Sequence, residues 1–224
     1  MRDVAPTSRS TGQLADFMAR LRTQPHQGRL AFIVDATQSR EATWDLAITL
    51  QTEMFEAAAA LGTLQLQLTF FRGTGSAAEC KHTPWISDGR ELGRRMSKVA
   101  CRGGFTQIQR ALRHVTAEHR RRPISAAVYI GDQCEEAADA LYGVASGLAA
   151  PLFVFGEGAD PDATPIFREL ARITGGAYAP FDSGSAAQLR ELLRAVAVFA
   201  AGGPAALQDQ RSEAAVKLLG QIRR

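Results

Sequence analysis

An uninterrupted apolar segment at residues 30–34 (LAFIV) constrains the fold of this chain more than any other feature. Gly28 precedes the segment and Asp35 ends it. Successive side chains of a strand point to opposite faces of a sheet, so a strand that is apolar at every position must be buried on both faces. Such strands are typical of parallel sheets that are covered by helices on both sides. The segment therefore predicts an α/β fold with a fully buried first strand.

Segments with strand and helix patterns alternate along residues 29–200, and the connectors between them are short. We predict further strands at residues 64–70, 124–130, 151–155 and 177–180, with a short antiparallel edge strand at 80–86. Helices are predicted at residues 44–58, 91–99, 108–115, 137–148, 166–173 and 189–196. Strict alternation in the strand at 64–70 (LQLQLTF) predicts that one of its faces is drier than the other. The order of elements predicts an open, mostly parallel, Rossmann-like sheet with helices on both faces.

These patterns divide the chain into an N-terminal helix at residues 1–27, the α/β domain at 28–201 and a C-terminal helical extension at 202–224. The first helix rests on apolar side chains at helical spacing, namely Leu14, Phe17, Met18 and Leu21. The extension has an apolar face formed by Ala215, Leu218, Leu219 and Ile222. That face either packs on the domain, contacts a partner or belongs to a weakly held, solvated tail.

Composition excludes several classes of protein. Of the 224 residues, 46% are apolar and 22% are charged, which is ordinary for a globular domain and unlike a disordered or collagenous chain. The net charge of +3 is too small to require nucleic acid or an anionic membrane as a partner, and we predict neither. Three cysteines, the lack of an apolar leader segment and the lack of an apolar run of about 18 residues predict a soluble, cytoplasmic protein.

Polar residues with oxygen donors stand where the predicted strands end. Asp35, Thr37 and Ser39 come directly after the first strand, and Asp132 follows a later buried strand. Thr106 stands in a glycine-rich loop that precedes a helix. Ligands of open α/β sheets bind at the carboxyl ends of the strands, so we expect the five side chains to meet there. A set made of oxygen donors alone suits a hard divalent cation such as Mg²⁺.

We predict that these five residues form a metal site in which they have different roles. Thr37 and Ser39 ligate the cation directly, and Thr106 adds a third hydroxyl from across the crevice. Asp35 accepts hydrogen bonds from waters on the cation, whereas Asp132 binds it directly or through water. One octahedral position is left for a further ligand.

The set resembles the metal-ion-dependent adhesion site of von Willebrand factor A domains. That family carries Asp-x-Ser-x-Ser after the first strand, a Thr in a glycine-rich loop and an Asp after a later strand. The matching residues here are Asp35, Thr37, Ser39, Thr106 and Asp132, and the likeness extends over about residues 28–200, including the order of strands and helices. The resemblance implies a von Willebrand factor A fold and Mg²⁺ or Mn²⁺ as the bound ion. It also implies a non-enzymatic module that binds a partner protein through an Asp or Glu side chain of the partner.

The chain departs from the family pattern at four positions. Thr37 replaces the usual Ser, which keeps the hydroxyl and adds a methyl group. Gly131 and Gln133 flank the later Asp, where the family more often has Thr or Ser and then Gly. Phe105 places an apolar side chain directly before Thr106. These departures bear on the affinity for the ion and on the choice of ion rather than on the fold.

Other interpretations stay open on the sequence alone. Asp35, Thr37 and Ser39 are residue types that also cap helices. A Mg²⁺-dependent phosphohydrolase of the haloacid dehalogenase type begins with an Asp after the first strand as well, but it needs a second carboxylate where Thr37 stands. A third alternative is a scaffold that uses the fold without a metal.

A zinc site is a further alternative, and it is weaker. Structural zinc sites normally contain closely spaced Cys pairs. The candidate ligands here are Cys80, His82, Cys101 and Cys134, of which only Cys80 and His82 are close in sequence. Buried or surface thiols are therefore the better interpretation of the three cysteines.

Overall fold

A computed structural model describes residues 28–41, 49, 64–158, 160–181 and 186–222. The predicted N-terminal helix at residues 1–27 lies outside the described residues, as does nearly all of the helix predicted at 44–58. The three-part division of the chain therefore stays a prediction. Within the described ranges, no helix has both the length and the apolar character that crossing a bilayer requires.

Six strands of the described chain form one sheet. They are β1 (Gly28–Asp35), β2 (Leu64–Arg72), β3 (Glu79–His82), β4 (Ala126–Gly131), β5 (Leu152–Glu157) and β6 (Tyr178–Phe181). Their order across the sheet is β3-β2-β1-β4-β5-β6. Neighbouring strands are parallel except for β2 and β3, which are antiparallel. The predicted fold class, with its short antiparallel edge strand, is confirmed.

The α-helices of the described residues lie on both faces of this sheet. They are α1 (Gly89–Met96), α2 (Ile108–Arg121), α3 (Ala138–Ala145), α4 (Ala163–Ile173), α5 (Ala186–Asp209) and α6 (Glu213–Ile222). Helix α5 extends well beyond the predicted end at residue 196 and is kinked at Gly203, whose φ is 70°. Glycine adopts this left-handed conformation without steric penalty, so the chain turns there and continues as helix from Pro204.

Strand β1 is buried at all eight of its positions, as the apolar segment predicts. Its side chains alternate between two apolar cores. Leu30, Phe32 and Val34 belong to the core on the side of α1, α5 and α6, whereas Ala31 and Ile33 belong to the core formed with α2, α3 and α4. Burial of apolar surface contributes about 25 cal/mol per Å², so packing on both faces holds β1 firmly at the centre of the sheet.

Strand β2 differs from the predicted pattern of one dry and one wetter face. Gln67 and Thr69, on its polar face, are also buried. The Gln67 amide donates to the carbonyl of Thr83 at 2.9 Å, and its Oε1 lies 3.0 Å from Nε2 of His114 on α2. Because α2 and the loop after β3 supply these partners, the polar face of β2 is covered without leaving the Gln67 amide unpaired.

The C-terminal helix α6 packs on the domain, which is one of the three outcomes that the sequence leaves open. Ala215 and Leu218 are buried in the same core as β1. The side chain of Gln221 accepts a hydrogen bond from the backbone N–H of Tyr178 and donates one to its carbonyl, each at 2.9 Å. Helix α6 therefore covers part of the exposed edge of β6, which would otherwise present unpaired backbone groups.

The strand order creates a crevice at the centre of the sheet. After β1 the chain builds β2 and β3 on one side, and it then returns to place β4, β5 and β6 on the other. The carboxyl ends of β1 and β4 are adjacent because these strands are parallel neighbours. Ligands of open α/β sheets bind at such a switch in strand order, and this is where Asp35 and Asp132 emerge.

Candidate metal centre

Asp35, the last residue of β1, is fully buried. Its Oδ1 accepts a hydrogen bond from the backbone N–H of Thr37 at 2.8 Å. Its Oδ2 is buried and has no hydrogen-bond partner among the described residues. Burial raises the pKa of Asp35 to about 6, the hydrogen bonds with Thr37 oppose this, and the nearby charge of Asp132 raises it further. One carboxylate oxygen thus orders the turn, and the other is available to a ligand.

The turn after β1 brings two hydroxyl groups together. Thr37 is buried and Ser39 is exposed, and their Oγ1 and Oγ atoms lie 3.1 Å apart. Ligands about 2.0–2.1 Å from an octahedral cation lie about 2.9–3.0 Å apart when they occupy adjacent positions. The two hydroxyls are hydrogen-bonded to each other, and the same spacing suits neighbouring ligands of one cation. Thr37 stands at the N-cap of the short helical turn Gln38–Arg40, yet its side chain makes no capping hydrogen bond.

Asp132 follows β4 and approaches Asp35 from the adjacent strand. Its Oδ1 is buried and lacks a hydrogen-bond partner within the described ranges. Its negative charge contributes to the raised pKa of Asp35, which shows that the two carboxyl groups interact electrostatically. Two carboxyl groups at adjacent strand ends, each with one unsatisfied buried oxygen, are an arrangement that a divalent cation with its waters would neutralise.

Thr106 is buried in a loop that packs closely on the ends of β1 and β2. The loop backbone is bound to the turn after β1, because the N–H of Arg102 donates to the carbonyl of Ala36 at 3.1 Å. A side chain on Gly104 could not be accommodated, since its Cβ would lie 2.2 Å from the carbonyl oxygen of Gly73. Gly104 therefore allows the loop that carries Thr106 to pack directly on the backbone after β2.

Two glutamates that we did not predict fix the position of Thr106. Glu135 accepts a hydrogen bond from the N–H of Thr106 at 3.0 Å, and its own N–H donates to the Thr106 hydroxyl at 3.2 Å. Glu136 caps α2 by accepting hydrogen bonds from the N–H groups of Ile108 and Gln109. Burial raises the pKa of Glu136, and a hydrogen bond with the Thr106 side chain opposes that rise. The Thr106 oxygen retains one lone pair that a cation could use.

The helix that follows Thr106 is capped by Glu136 and not by the Thr106 side chain. The N-cap of α2 is Gln107, which makes no side-chain capping bond, and the capping carboxylate is that of Glu136 from another loop. The only sequence signal is the occurrence of two acidic residues shortly after Asp132. Sequence spacing does not reveal that they reach across to a loop 27–29 residues away.

Arg40 is a second residue that the sequence analysis did not single out. It is almost completely buried, and its Nη1 lies 2.5 Å from Oε2 of Glu157 at the end of β5. Its positive charge lowers the pKa of Asp35 against the effect of burial. The ion pair fastens the turn that carries Thr37 and Ser39 to a third strand end, and it places a fixed cation near the two aspartates.

Tyr129 adds a third unsatisfied polar atom at this position. Its side chain is completely buried, and its hydroxyl has no hydrogen-bond partner in the described part of the chain. A Cβ on Gly131 would lie 2.1 Å from this hydroxyl, so the glycine makes room for it beside the strand end. Burial and the charges of Asp35, Cys134 and Asp132 raise the pKa of Tyr129, which keeps the phenol neutral and able to donate.

The unsatisfied atoms of Asp35, Asp132 and Tyr129 belong to one region, whereas buried polar groups of proteins are almost always hydrogen-bonded. Oδ2 of Asp35 and Oδ1 of Asp132 are acceptors, and the Tyr129 hydroxyl can donate as well as accept. A hydrated divalent cation fits this set, because it and its waters supply the positive charge and the donors that the acceptors lack. The predicted residues therefore fit a divalent cation with its waters.

The alternative zinc site finds no support in the structure. Among the described residues, no group of three or more His, Cys, Asp or Glu side chains is arranged to hold a metal. Cys80, Cys101 and Cys134 are free, and burial raises the pKa of each thiol to about 11. His82 stacks on His114 instead, with 3.8 Å between the ring centroids. The candidate site at the ends of β1 and β4 offers oxygen donors instead, which suit a hard cation rather than zinc.

Comparison with known proteins tests the fold. No protein-family model and no curated protein matches the chain in sequence. Among solved structures, the SpRpn10 VWA domain matches with a TM-score of 0.57 at 8% identity, over 72% of this chain and 94% of that one. The pilus adhesin SpaC from Lactobacillus rhamnosus GG matches with a TM-score of 0.63 at 13% identity, over 80% of this chain and 31% of the adhesin.

A third match is an aerotolerance-related membrane protein from Bacteroides fragilis, with a TM-score of 0.52 at 14% identity, over 74% of this chain and 98% of that one. This chain thus spans nearly all of two of these structures and about a third of the adhesin. Identities this low show a common fold and nothing finer. Together with the strand order described above, they confirm that this chain has the von Willebrand factor A fold.

Proposed function

We propose that the chain is a metal-dependent protein-interaction module. Mg²⁺ or Mn²⁺ would be held by Asp35, Thr37, Ser39, Thr106 and Asp132, and an Asp or Glu side chain of a partner protein would take the remaining coordination position. The observations that support the proposal are the unsatisfied buried oxygens of Asp35 and Asp132, at the ends of two neighbouring strands, and the two hydroxyls 3.1 Å apart in the turn after β1.

The charges around the crevice suit the capture of a carboxylate. The aspartates at the ends of β1 and β4 supply negative charge, part of which is offset by Arg40. The other three ligands are neutral hydroxyls, which leave a bound cation with more attraction for an incoming carboxylate than acidic ligands would. A partner carboxylate would therefore complete both the coordination and the charge balance.

The same geometry favours a binding module over a phosphohydrolase. The haloacid dehalogenase mechanism needs an acid that shuttles a proton two residues after the nucleophilic Asp. Thr37 stands there, and its hydroxyl is engaged with Ser39. A threonine hydroxyl does not exchange protons at neutral pH as a carboxyl group does, so we propose that the chain does not catalyse this reaction.

Metal binding to the site is tested by thermal melting with and without Mg²⁺ or Mn²⁺. A ligand at about a hundred times its Kd stabilises the native state by about 2.7 kcal/mol, which corresponds to a rise in melting temperature of about 5–10 °C for a chain of this size. Asp35→Asn and Asp132→Asn should abolish the rise because each removes a charged acceptor.

The matched control is Asp88→Asn. Asp88 is an exposed aspartate that caps α1 by accepting from the N–H of Arg90 at 2.9 Å, and Asn keeps that capability. The control should show the same rise as the unmodified protein. If all three variants respond equally to metal, the cation binds elsewhere and the proposed function is wrong.

A further inference from the structure

Charge is distributed unevenly around the crevice, and its β2–β3 side is basic. Glu79, at the start of β3, lies 2.8 Å from Arg72, 2.9 Å from Lys81 and 3.9 Å from Arg102. Hydrogen bonds from Lys81 and Arg72 lower the pKa of Glu79 to about 2. Three cations thus share one carboxylate, which leaves a positive surplus beside the loop that carries Thr106.

Arg110 extends this surplus to the start of α2. The residue is exposed, and its Nη1 donates to Oε1 of Gln107 at 3.2 Å. Gln107 in turn donates to the carbonyl of Arg72 at 3.1 Å, which fastens the start of α2 to the end of β2. We name the four cations Arg72, Lys81, Arg102 and Arg110 the basic rim.

The opposite side of the crevice is acidic, and its carboxylates are occupied. Glu135 and Glu136 bind backbone N–H groups of the Thr106 loop and of α2. Glu157 is paired with Arg40. Asp160 caps α4 by accepting from the N–H groups of Asp162 and Ala163. An acidic partner would therefore be attracted on the β2–β3 side of the site and repelled on the β4–β5 side.

Phe105 stands in the same loop as the site residue Thr106 and the rim residue Arg102. Its side chain is 64% exposed, and it is one of only two large hydrophobic residues exposed in the described part of the chain. In sequence it stands directly before Thr106 and between Arg102 and Arg110. Its loop is fixed by the packing of Gly104 on Gly73, so an apolar partner group could dock on Phe105 without first ordering the backbone.

We infer that the partner binds through an acidic peptide segment with an apolar side chain next to the carboxylate that reaches the metal. The apolar side chain packs on Phe105, and at least one further acidic residue pairs with the basic rim. This inference rests on the proposed function, because the metal-bound carboxylate sets the position of the segment. The charge asymmetry gives the segment one direction, from the crevice toward β3.

The inference is tested by selecting random peptides displayed on phage against the immobilised full chain in Mg²⁺ and eluting them with chelator. The expected peptides contain Asp or Glu beside an apolar residue, together with a second acidic residue. Enrichment of peptides without this combination, or no enrichment at all, would overturn the inference.

Two matched pairs of variants then locate the contacts of the best selected peptide. Phe105→Ala should weaken its binding about tenfold, whereas Val216→Ala, at an equally exposed (64%) apolar residue on α6, should leave it within twofold. Arg110→Glu should weaken binding about tenfold, and more at low salt than at high salt. Arg120→Glu makes the same charge change ten residues, or about 15 Å, along α2 and should have little effect.

The metal-induced rise in melting temperature should persist in all four variants, so that the two proposals can fail separately. Peptide binding that persists in chelator would contradict the proposed function. Metal-dependent binding that Phe105→Ala and Arg110→Glu leave unchanged would contradict this inference alone.

Discussion

Each end of β1 carries a buried charged side chain, but only the one at the amino end has partners for nearly all of its polar atoms. At the amino end, Arg29 lies 3.1 Å from Glu118 and stacks over Trp85, with its guanidinium carbon 3.7 Å from the ring centroid. The indole N–H of Trp85 donates to the same carboxylate at 2.6 Å. At the carboxyl end, Asp35 is equally buried, yet one of its oxygens lacks a partner among the described residues.

The difference separates a structural charge cluster from a candidate binding site. The buried polar atoms of Arg29, Trp85 and Glu118 have hydrogen-bond partners among the described residues, except for Nε of Arg29. At the carboxyl ends of β1 and β4, buried oxygens of Asp35 and Asp132 lack hydrogen-bond partners among the described residues, and so does the Tyr129 hydroxyl of β4. A cluster of unsatisfied acceptors destabilises the protein unless something binds there.

The largest expected effect comes from removing a partner of Arg29 at the amino end of β1. Glu118→Ala leaves the buried guanidinium of Arg29 without its counter-ion, and loss of one partner of a buried ion pair typically costs about 3–5 kcal/mol. We expect the free energy of unfolding in urea to fall by this amount. The metal-induced rise in melting temperature should remain, because Glu118 lies at the opposite end of the sheet. An unchanged stability would mean that the pair is not structural.

At the carboxyl end of β1, removing the buried charge should raise the stability of the metal-free protein instead of lowering it. Asp35→Asn is expected to stabilise the metal-free protein at pH 7 by on the order of 2 kcal/mol, because it removes a buried, desolvated carboxylate. The measurement is urea unfolding in the presence of chelator. A variant less stable than the unmodified protein would show that the charge of Asp35 is already compensated within the chain.

The raised pKa of Asp35 also predicts how the stability of the metal-free protein depends on pH. The folded state binds this proton more tightly than the unfolded state, for which the pKa is 3.8. The contribution of this proton to the free energy of unfolding is therefore fully present below about pH 4. It is lost as the pH rises through about 6, and the loss amounts to about 3 kcal/mol. Burial lowers the pKa of His114 to about 4, so this group also titrates in the same range and changes the stability in the opposite direction. The test is therefore the difference in free energy of unfolding between the unmodified protein and Asp35→Asn in chelator, which should fall by most of this amount as the pH rises from 4 to 7.

Metal should reverse this pH dependence, since a cation competes with the proton for Asp35. Below pH 6 the apparent metal affinity should fall about tenfold per pH unit, whereas above pH 7 it should be nearly constant. Calorimetric titration with Mn²⁺ at a series of pH values measures this. An affinity that does not change between pH 5 and pH 7 would place the cation away from Asp35.

The smallest expected effects concern the two glutamates that hold Thr106 and the start of α2 in place. Glu135→Ala removes the carboxylate that accepts from the Thr106 N–H, and loss of a group that orients a ligand typically lowers metal affinity about tenfold. Glu136→Ala should instead lower stability by about 1 kcal/mol through loss of the α2 cap. Calorimetry with Mn²⁺ and urea unfolding of both variants separate the two roles, and equal effects on metal affinity would contradict the distinction.

The sequence predicts the fold well because the relevant signals are local. The apolar segment at residues 30–34 identifies a strand buried on both faces, and the alternation of patterns that follows identifies the parallel sheet. The five candidate ligands are proposed from the same kind of signal, because they stand at strand ends or before a helix. That all five bind one cation stays a prediction. Two helix ends in the described chain are badly placed. The helix α2 continues to Arg121 instead of ending at residue 115, and α5 resumes after the kink at Gly203.

The supporting residues could not be predicted, because their partners are distant in sequence. The sequence around Arg40 is typical of a surface arginine after a turn. In the structure Arg40 is buried, and its Nη1 lies 2.5 Å from Oε2 of Glu157 on β5. Glu136 reads as a solvated acid until it meets the start of α2. Gln67 reads as an exposed position of an alternating strand until α2 covers it. In each case burial and pairing are set by tertiary packing rather than by local pattern.

The central claim is that oxygens from three loops gather around one divalent cation at the carboxyl end of β1. Anomalous diffraction from crystals of the protein soaked in Mn²⁺ tests it most directly. The account predicts a peak within coordination distance of the Thr37 and Ser39 hydroxyls and between Asp35 and Asp132, and the loss of that peak in Asp35→Asn. Saturating Mn²⁺ that leaves this position without a peak, or that yields a peak only among other residues, would contradict it.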